Sequence, residues 1–424
     1  MSSISRFDRS YIREVSIAQN IPITELILRT FYEKIQEPIT LLGVSPISPH
    51  IVRAAIIAAK ELKAPIMFIA SLNQVDIDGG YTGWTPRSFI EFLGKEVEKL
   101  GFKEPIIVGL DHGGPWLKDK HIQQGYGLEE AMESAKKSIE AALTAGYDVI
   151  HIDTTVDPYA RNGVPEVDIV AKRTLELIEF AEDVRKTHDL PRINYEISSD
   201  RWKFKDIEHV RELVAQVMHG LEQRGLGEAK ILFIVGDVGT KVMPGNRLDT
   251  NKAQRLVRLA QTYKLYLKTH STDYVENPEE FPGIGVGGAN IGPMFADVKY
   301  RTVKKLVEME EENIYGEAAN EKSNILEILY KSIIDDGRWR KYVKGAKDLE
   351  ELDIGEREFI IGICTRYVWM DPRVHKALSK LFSNLSKISV DGEKILIEEI
   401  KKSIRKYMEK FNLLNLVERF KSSK

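Results

Sequence analysis

Short apolar runs, most of them ending in a polar residue, recur eight times between residues 39 and 290. They are continuous and rich in Val and Ile, as strands buried on both faces of a parallel sheet must be. Most are separated by amphipathic stretches of helical length, and this alternation favours a parallel sheet. We therefore predict a (β/α)8 barrel. The runs are ITLLGVS (39–45), PIMFIAS (65–71), PIIVGLD (105–111), DVIHID (148–153), RINYEIS (192–198), KILFIVG (230–236), KLYLKTHS (264–271) and GIGVGGAN (283–290).

Helical patterns fill most of the gaps, and Thr85 and Pro86 are suited to cap one helix and occupy its first position. The 271–283 connection is too short for a full helix, so we expect a single turn or an irregular link. The predicted helices are 49–63, 86–100, 128–145, 165–188, 206–224 and 249–262.

Two segments lie outside this alternation. Residues 10–36 predict one or two helices, broken near Pro22 and Thr24, that cover the bottom of the barrel or pack on a neighbour. After about residue 311 the chain becomes helical, with predicted helices at 324–335, 373–385 and 393–420. The expected division is an N-terminal helical extension (1–36), the barrel (37–310) and a C-terminal helical region (311–424).

Composition limits the function classes. With 424 residues, 43% of them hydrophobic, the chain can bury a whole barrel core. The formal net charge of −3 predicts no attraction to nucleic acid or anionic membranes. One cysteine, Cys364, fits a reducing compartment, and no signal peptide or membrane span is expected, so we predict a cytoplasmic protein.

The candidate chemistry lies where the predicted strands end, because the carboxyl ends of barrel strands meet at one mouth. Asp111 and His112 end the third strand, and His270 ends the seventh. Glu196 lies in the fifth strand. Imidazoles together with carboxylates predict a site for a divalent metal, either Zn, Mn or Co.

Several roles stay open at this stage. His151 and Asp153 share one face of the fourth strand and belong to the groups expected at the mouth: His151 contacts substrate, supports a ligand residue or packs, and Asp153 is a substrate or metal contact. Asp237 forms a loop charge pair with Lys241 or contacts substrate. Asp273 caps a turn or orients His270.

Loops add candidate substrate contacts. SLNQVDIDGGYTGWTP (71–86) supplies Ser71, Asn73, Gln74 and Tyr81 for a sugar, or forms only a tight turn. GVGGANIGP, with Gly288 and Asn290, could present backbone N–H groups to an anion such as phosphate. Trp116 and Lys118 follow Asp111-His112, and RYVWMDPR (366–373) either packs on the surface or reaches a neighbouring barrel mouth. No P-loop or dinucleotide-binding glycine motif is present.

Motifs spread over nearly the whole chain resemble the accessory-type subunit of class II tagatose-bisphosphate aldolase. They are NQVDIDGGYTGWTP, GLDHGGPW, HIDTT, the glutamate of NYEIS, KTHSTDY, DDGRWRKY and RYVW. The resemblance implies a (β/α)8 barrel related to class II aldolases, which use a divalent metal, typically zinc. It also implies a possible partnership with a catalytic aldolase chain, and relatives of the family epimerise ketohexoses or their phosphates at C4.

The resemblance also implies roles for particular residues. Asp111 corresponds to the aldolase base, with Asp153 as a second choice, and His112 and His270 correspond to metal ligands. These aldolases carry another ligand histidine after the sixth strand, where FIVGDVGTK has none, and Glu196 is the expected substitute. The implied function is a ketohexose 4-epimerase (an isomerase) or an aldolase acting on fructose or tagatose types of sugar or sugar phosphate, with a non-catalytic subunit as the alternative. A homo-oligomer is possible.

Overall fold

The computed structural model describes residues 7–163, 165–199, 207–313, 322–343, 345 and 348–423. Eight parallel strands close into a barrel in sequence order, with the first strand paired to the eighth. The predicted (β/α)8 fold is therefore confirmed, and each predicted run coincides with one strand, although the third and eighth strands extend past the ends of their runs. The strands are β1 (Leu41–Val44), β2 (Ile66–Ser71), β3 (Ile106–Gly113), β4 (Val149–Ile152), β5 (Asn194–Ser198), β6 (Lys230–Val235), β7 (Tyr266–Thr269) and β8 (Val286–Ile291).

The helices between the strands follow the predicted positions closely. Thr85 caps its helix by accepting from the backbone N–H of Ser88, and Pro86 is the first helical residue, as predicted. The link between β7 and β8 holds only a five-residue helix. In chain order the helices are α1 (Tyr11–Gln19), α2 (Ile23–Arg29), α3 (Pro49–Leu62), α4 (Pro86–Leu100), α5 (Asp119–Gln123), α6 (Leu128–Ala145), α7 (Val167–Thr187), α8 (Ile207–Gln223), α9 (Thr250–Thr262), α10 (Glu280–Ile284) and α11 (Pro293–Asn313).

The N-terminal helices lie against the bottom of the barrel, which is one of the two arrangements expected for them. Arg13 of α1 donates to both carboxylate oxygens of Asp148, immediately before β4, and to the carbonyl oxygen of Ile106 at the start of β3. The backbone N–H of Glu25 in α2 donates to Asn194 at the start of β5. The amino ends of three neighbouring strands are therefore tied to this extension.

The C-terminal region is helical, but one predicted helix is wrong in its extent. The stretch 393–420 forms two helices rather than one, because the backbone turns between them with Asn412 and Asn415 in the left-handed region. The helices of this region are α12 (Ile325–Asp336), α13 (Ile354–Cys364), α14 (Pro372–Lys387), α15 (Gly392–Lys410) and α16 (Leu416–Lys421).

The α15 helix is only partly solvated. It buries Leu396, Ile400 and Ile404, and Lys401 forms an ion pair with Glu61 of α3. The charged residues of this helix therefore border an apolar stripe, and the stripe packs the helix against the barrel.

The RYVWMDPR stretch (366–373) is largely buried and packs against residues of the same chain. Arg366 donates to the hydroxyl groups of Tyr342 and Tyr367, and the Lys299 ammonium lies 4.0 Å from the centre of the Trp369 ring. Packing on the surface, one of the two expectations for this cluster, is therefore wrong for Arg366 and Trp369.

None of the helices in the described part of the chain is long and apolar enough to cross a membrane.

Candidate metal centre at the barrel mouth

A bulge at the end of β3 gives the site its geometry. Consecutive residues of a regular strand point to opposite faces, so Asp111 and His112 would normally separate. Here the pairing between β3 and β4 shifts register between Leu110 and Gly113, and His112 has a φ of 52°. The left-handed backbone, uncommon for a residue other than glycine, turns both side chains into one cluster.

His112 is oriented by Asp153. Its Nδ1 atom lies 2.7 Å from Oδ2 of Asp153, which is fully buried. The other Asp153 oxygen accepts from the backbone N–H and the hydroxyl of Thr155. A carboxylate that accepts the Nδ1 proton of a histidine presents Nε2 as a ligand, which is the usual arrangement behind a metal-bound imidazole.

Asp111 lies at the centre of the cluster. Its Oδ1 atom is 2.9 Å from Nδ1 of His151 and 3.4 Å from Nε2 of His270. The three imidazole rings lie close together, with centroids 4.7 to 5.4 Å apart. Burial alone would raise the pKa of Asp111, but His270, His112 and His151 outweigh it and hold the pKa well below its usual range. The Asp111 carboxylate is therefore ionised.

Asn290 of β8 completes one side of this cluster. Its Nδ2 group donates to Oδ2 of Asp111 over 3.3 Å. Gly43, its register partner on β1, makes room, since a Cβ atom there would lie 2.3 Å from Oδ1 of Asn290. The predicted placement of Asn290 at the mouth is consistent with this contact.

The residues that could hold a metal differ in part from those expected. Ligand atoms of Asp111, His112 and His151 lie within 4.8 Å of one another, and His270 touches the same Asp111 carboxylate. His151, expected at the mouth as a substrate-binding, supporting or packing residue, thus offers a potential ligand atom of its own. Two or three imidazoles with one carboxylate are a donor set that Zn, Mn and Co accept.

Glu196 is engaged elsewhere. Its Oε1 atom is 2.6 Å from the Lys268 ammonium, and both side chains are fully buried. The Glu196 carboxylate is therefore paired with the Lys268 ammonium and lies outside the group of potential metal ligands. Lys268 was not anticipated, because a lysine inside a predicted strand gives no sign of whether it points into the barrel.

Residues of the two loops after β2 and β3 mostly bind each other. The Asn73 side chain donates to Leu117 and accepts from the backbone N–H of Asp119. Lys118 is buried between Asp76 and Asp78. The expectation that Asn73 and Lys118 bind substrate is therefore not matched by their contacts, which join the loops to one another.

Three further predicted substrate contacts lie at the end of β2 and in the loop that follows it. Ser71 is the register partner of Asp111, and its backbone N–H donates to Gln74. The Tyr81 ring packs against Tyr367 of the C-terminal region, and burial raises the pKa of Tyr81 to about 12. The loop after β2 therefore contacts the C-terminal region.

Trp116 is a packing residue. Its indole N–H donates to the carbonyl oxygen of Tyr126, and the guanidinium of Arg173 lies over its ring. Its backbone N–H donates to His121, which in turn contacts Ser134. Sequence reasoning missed His121, which looked like one more polar residue of a loop.

Asp273 and the glycine-rich end of β8 are bound to each other. Asp273 accepts from the backbone N–H groups of Gly292 and Met294 at the start of α11, so it caps this helix. The N–H group of Gly292, part of the predicted anion site, is therefore occupied by a carboxylate. Gly288 has a steric role, because a Cβ atom there would lie 3.2 Å from the Lys268 side chain. Asp237 accepts from Gly239 within its own loop.

The fold and the cluster define a (β/α)8 protein with a histidine and carboxylate site at the carboxyl ends of β3, β4 and β7. A family model described as D-tagatose-1,6-bisphosphate aldolase subunit GatZ/KbaZ-like matches residues 28–201 and 208–413, so the chain belongs to this family. The resemblance noted in the sequence is thereby confirmed.

Individual relatives agree with the family. The chain is 25% identical over 378 residues to the D-tagatose-1,6-bisphosphate aldolase subunit GatZ of Escherichia coli O6:K15:H31 (strain 536), covering 84% of this chain and 87% of that protein. The GatZ subunit of Escherichia coli O157:H7 shows the same identity and coverage. A crystal structure titled as a probable tagatose 6 phosphate kinase from Sinorhizobium meliloti 1021 is 22% identical, with a TM-score of 0.75, over 88% of this chain and 100% of that one. This likeness shows the shared fold.

Proposed function

We propose that the chain is a divalent-metal-dependent enzyme that breaks and re-forms the C3–C4 bond of a ketohexose or a ketohexose phosphate. The observation that carries the proposal is the gathering of His112, His151 and His270 around the ionised Asp111 at the barrel mouth. The relatives named as aldolase subunits make a sugar of the fructose or tagatose type the first substrate class to test.

Carbon acidity limits the chemistry. In a 2-ketohexose the C4 hydrogen is not next to the carbonyl, so proton removal at C4 cannot invert that carbon. Cleavage of the C3–C4 bond can. If the aldehyde rotates before it adds back, the product is the C4 epimer; if it leaves, the reaction is that of an aldolase.

A divalent cation, when bound by the cluster, would supply Lewis acidity for the C2 carbonyl, an effect worth roughly 3–4 kcal/mol or more. The protein must also remove the proton of the C4 hydroxyl. Asp111 is the candidate base, because its carboxylate is ionised and its Oδ2 atom, on the side of Asn290, is not the oxygen that lies beside His151 and His270. Asp153 suits that role less, since its two oxygens contact His112 and Thr155, and we assign it to orienting His112.

The test uses the purified chain alone. It is loaded with manganese, cobalt or zinc and incubated with fructose, tagatose or their phosphates. We expect the C4 epimer or, for an aldolase, triose or triose phosphate. Metal-loaded protein that makes neither product from any of these sugars would contradict the proposal.

A second candidate is supported by the names of the relatives, which call each of them a subunit. In that case the chain stabilises a separate class II aldolase chain and has no turnover of its own. Inertness of the isolated chain, together with a gain in stability or activity of an added catalytic aldolase chain, would favour this function over the enzyme.

A further inference from the structure

The buried Glu196 and Lys268 pair lies beside one of the cluster histidines. Glu196 of β5 is the register partner of His151 of β4, and in-register residues of neighbouring strands are only about 4.8 Å apart at the backbone. Both side chains are fully buried. The ion pair is therefore an immediate neighbour of the proposed metal centre.

The contacts of His151 leave two positions open for its proton. Nδ1 lies 2.9 Å from Oδ1 of Asp111, to which a protonated Nδ1 would donate. It also lies 3.1 Å from the backbone nitrogen of His112, whose N–H an unprotonated Nδ1 accepts. In the second case the neutral ring carries its proton on Nε2, and Nδ1 and the Asp111 oxygen each offer a lone pair to a shared cation.

The proton on Nε2 needs an acceptor, and a carboxylate oxygen needs a donor. Within the described part of the chain, Nε2 of His151 and Oε2 of Glu196 are both buried without a hydrogen-bond partner. A buried polar atom left unpaired is destabilising. A hydrogen bond between these two groups would satisfy both atoms at once.

We propose that Glu196 is a positioning residue that accepts the Nε2 proton of His151 and so keeps Nδ1 free to face the metal. Lys268 fixes Glu196 for this task by holding its other oxygen. The inference rests on the proposed function insofar as it assigns Nδ1 of His151 to a cation. It makes two parallel units, with Asp153 orienting His112 and Glu196 orienting His151.

The substitution Glu196→Gln should reverse which ring nitrogen of His151 carries the proton. The Lys268 ammonium requires an oxygen, so the amide would turn its NH2 group toward His151. Because an N–H then faces Nε2, the His151 proton should move to Nδ1 and be donated to Asp111. In ¹⁵N NMR of metal-free protein labelled at histidine, with His151 assigned from its loss in His151→Gln, the two ring nitrogens should exchange their protonated and unprotonated signals.

Metal affinity provides the second readout. Competition with a chromophoric chelator should show zinc binding weakened about 10- to 100-fold in Glu196→Gln, the usual effect of losing such a partner. The double variant Glu196→Gln, Lys268→Met frees the amide to present its oxygen to His151, and should recover part of the affinity. This partial recovery is not expected if the pair only supports the fold.

Glu182→Gln is the matched control, because Glu182 is also a buried partner of a cation, Arg185, on α7. It should leave zinc affinity and the His151 signals unchanged. The proposal is overturned if wild-type His151 carries its proton on Nδ1, or if folded Glu196→Gln keeps the wild-type tautomer and affinity. If wild-type protein binds no metal, the proposed function fails, while the NMR comparison of metal-free protein still decides the inference.

Discussion

The two ends of the barrel use charged groups in different ways. At the bottom, the permanently charged Arg13 is enclosed by Asp8, Asp148 and a backbone carbonyl, so each buried charge meets an opposite one. At the mouth, the ion-pair partners of Asp111 within the described residues are imidazoles, which can offer lone pairs to a cation. The charged groups at the bottom therefore stabilise the fold, whereas those at the mouth can bind a cation.

The largest effect should come from removing a cluster histidine. His270→Ala should lower metal affinity by more than about 100-fold, beyond what loss of an orienting partner costs, and abolish turnover. Metal analysis after dialysis and an assay with ketohexoses measure both. The melting temperature of the metal-free protein should change little. A variant with full metal content and full activity would show that the mouth does not bind as described.

Breaking the bottom should have the opposite signature. Arg13→Met leaves Asp8 and Asp148 without their buried cation, and should lower the free energy of unfolding by about 3–5 kcal/mol. Denaturant unfolding measures the loss. Metal affinity of the remaining folded protein should equal that of the wild type. A stable variant with impaired metal binding would reverse the assignment of the two ends.

The orienting carboxylate should have an intermediate effect. Asp153→Asn keeps the size of the side chain but weakens its acceptance of the His112 proton. We expect metal affinity to fall about 10- to 100-fold. Titration against a chelator gives the value, and unchanged affinity would mean that Asp153 does not orient a ligand.

The smallest effect concerns the stability of the C-terminal region. Burial lowers the pKa of Lys299 to about 7, and its ammonium lies near Ser48, His50 and the Trp369 ring. Since the unfolded lysine titrates near its ordinary value, the unfolded chain binds more protons between about pH 7 and 10.5, and the cost of burying this group is relieved as pH rises through that window.

Lys299→Met should remove this dependence. Relative to the wild type, the variant should gain about 1–3 kcal/mol of stability near pH 7, and the gain should shrink toward pH 10. Urea unfolding at several pH values measures the difference between the two proteins. A difference that does not vary with pH would show that the pKa of Lys299 is not lowered in the folded protein.

The barrel could be predicted because local sequence patterns indicate where strands and helices alternate. An example is the continuous apolar run PIMFIAS, which is followed by a helix start with Thr85 as the cap and Pro86 as the first helical residue. The cluster could be predicted in part, because Asp111, His112 and His270 end strands that share one mouth. The shared orientation of Asp111 and His112 could not, since the bulge at His112 and its left-handed backbone bring together two side chains that strand alternation would separate.

Other residues were hidden for related reasons. Lys268 and Glu196 become partners only when the barrel closes, because they lie on strands that are not neighbours. Asp273 follows His270 closely and looked like a site residue, yet its partners are N–H groups at the start of α11. Such contacts depend on side-chain orientation, which local sequence does not determine.

The most direct test is a crystal structure of the chain grown with zinc or manganese and analysed by anomalous scattering at the metal edge. We predict one strong anomalous peak within bonding distance of Asp111 and of imidazole nitrogens from His112, His151 and His270. A well-ordered mouth without a peak, in crystals that bind the metal elsewhere, would contradict it.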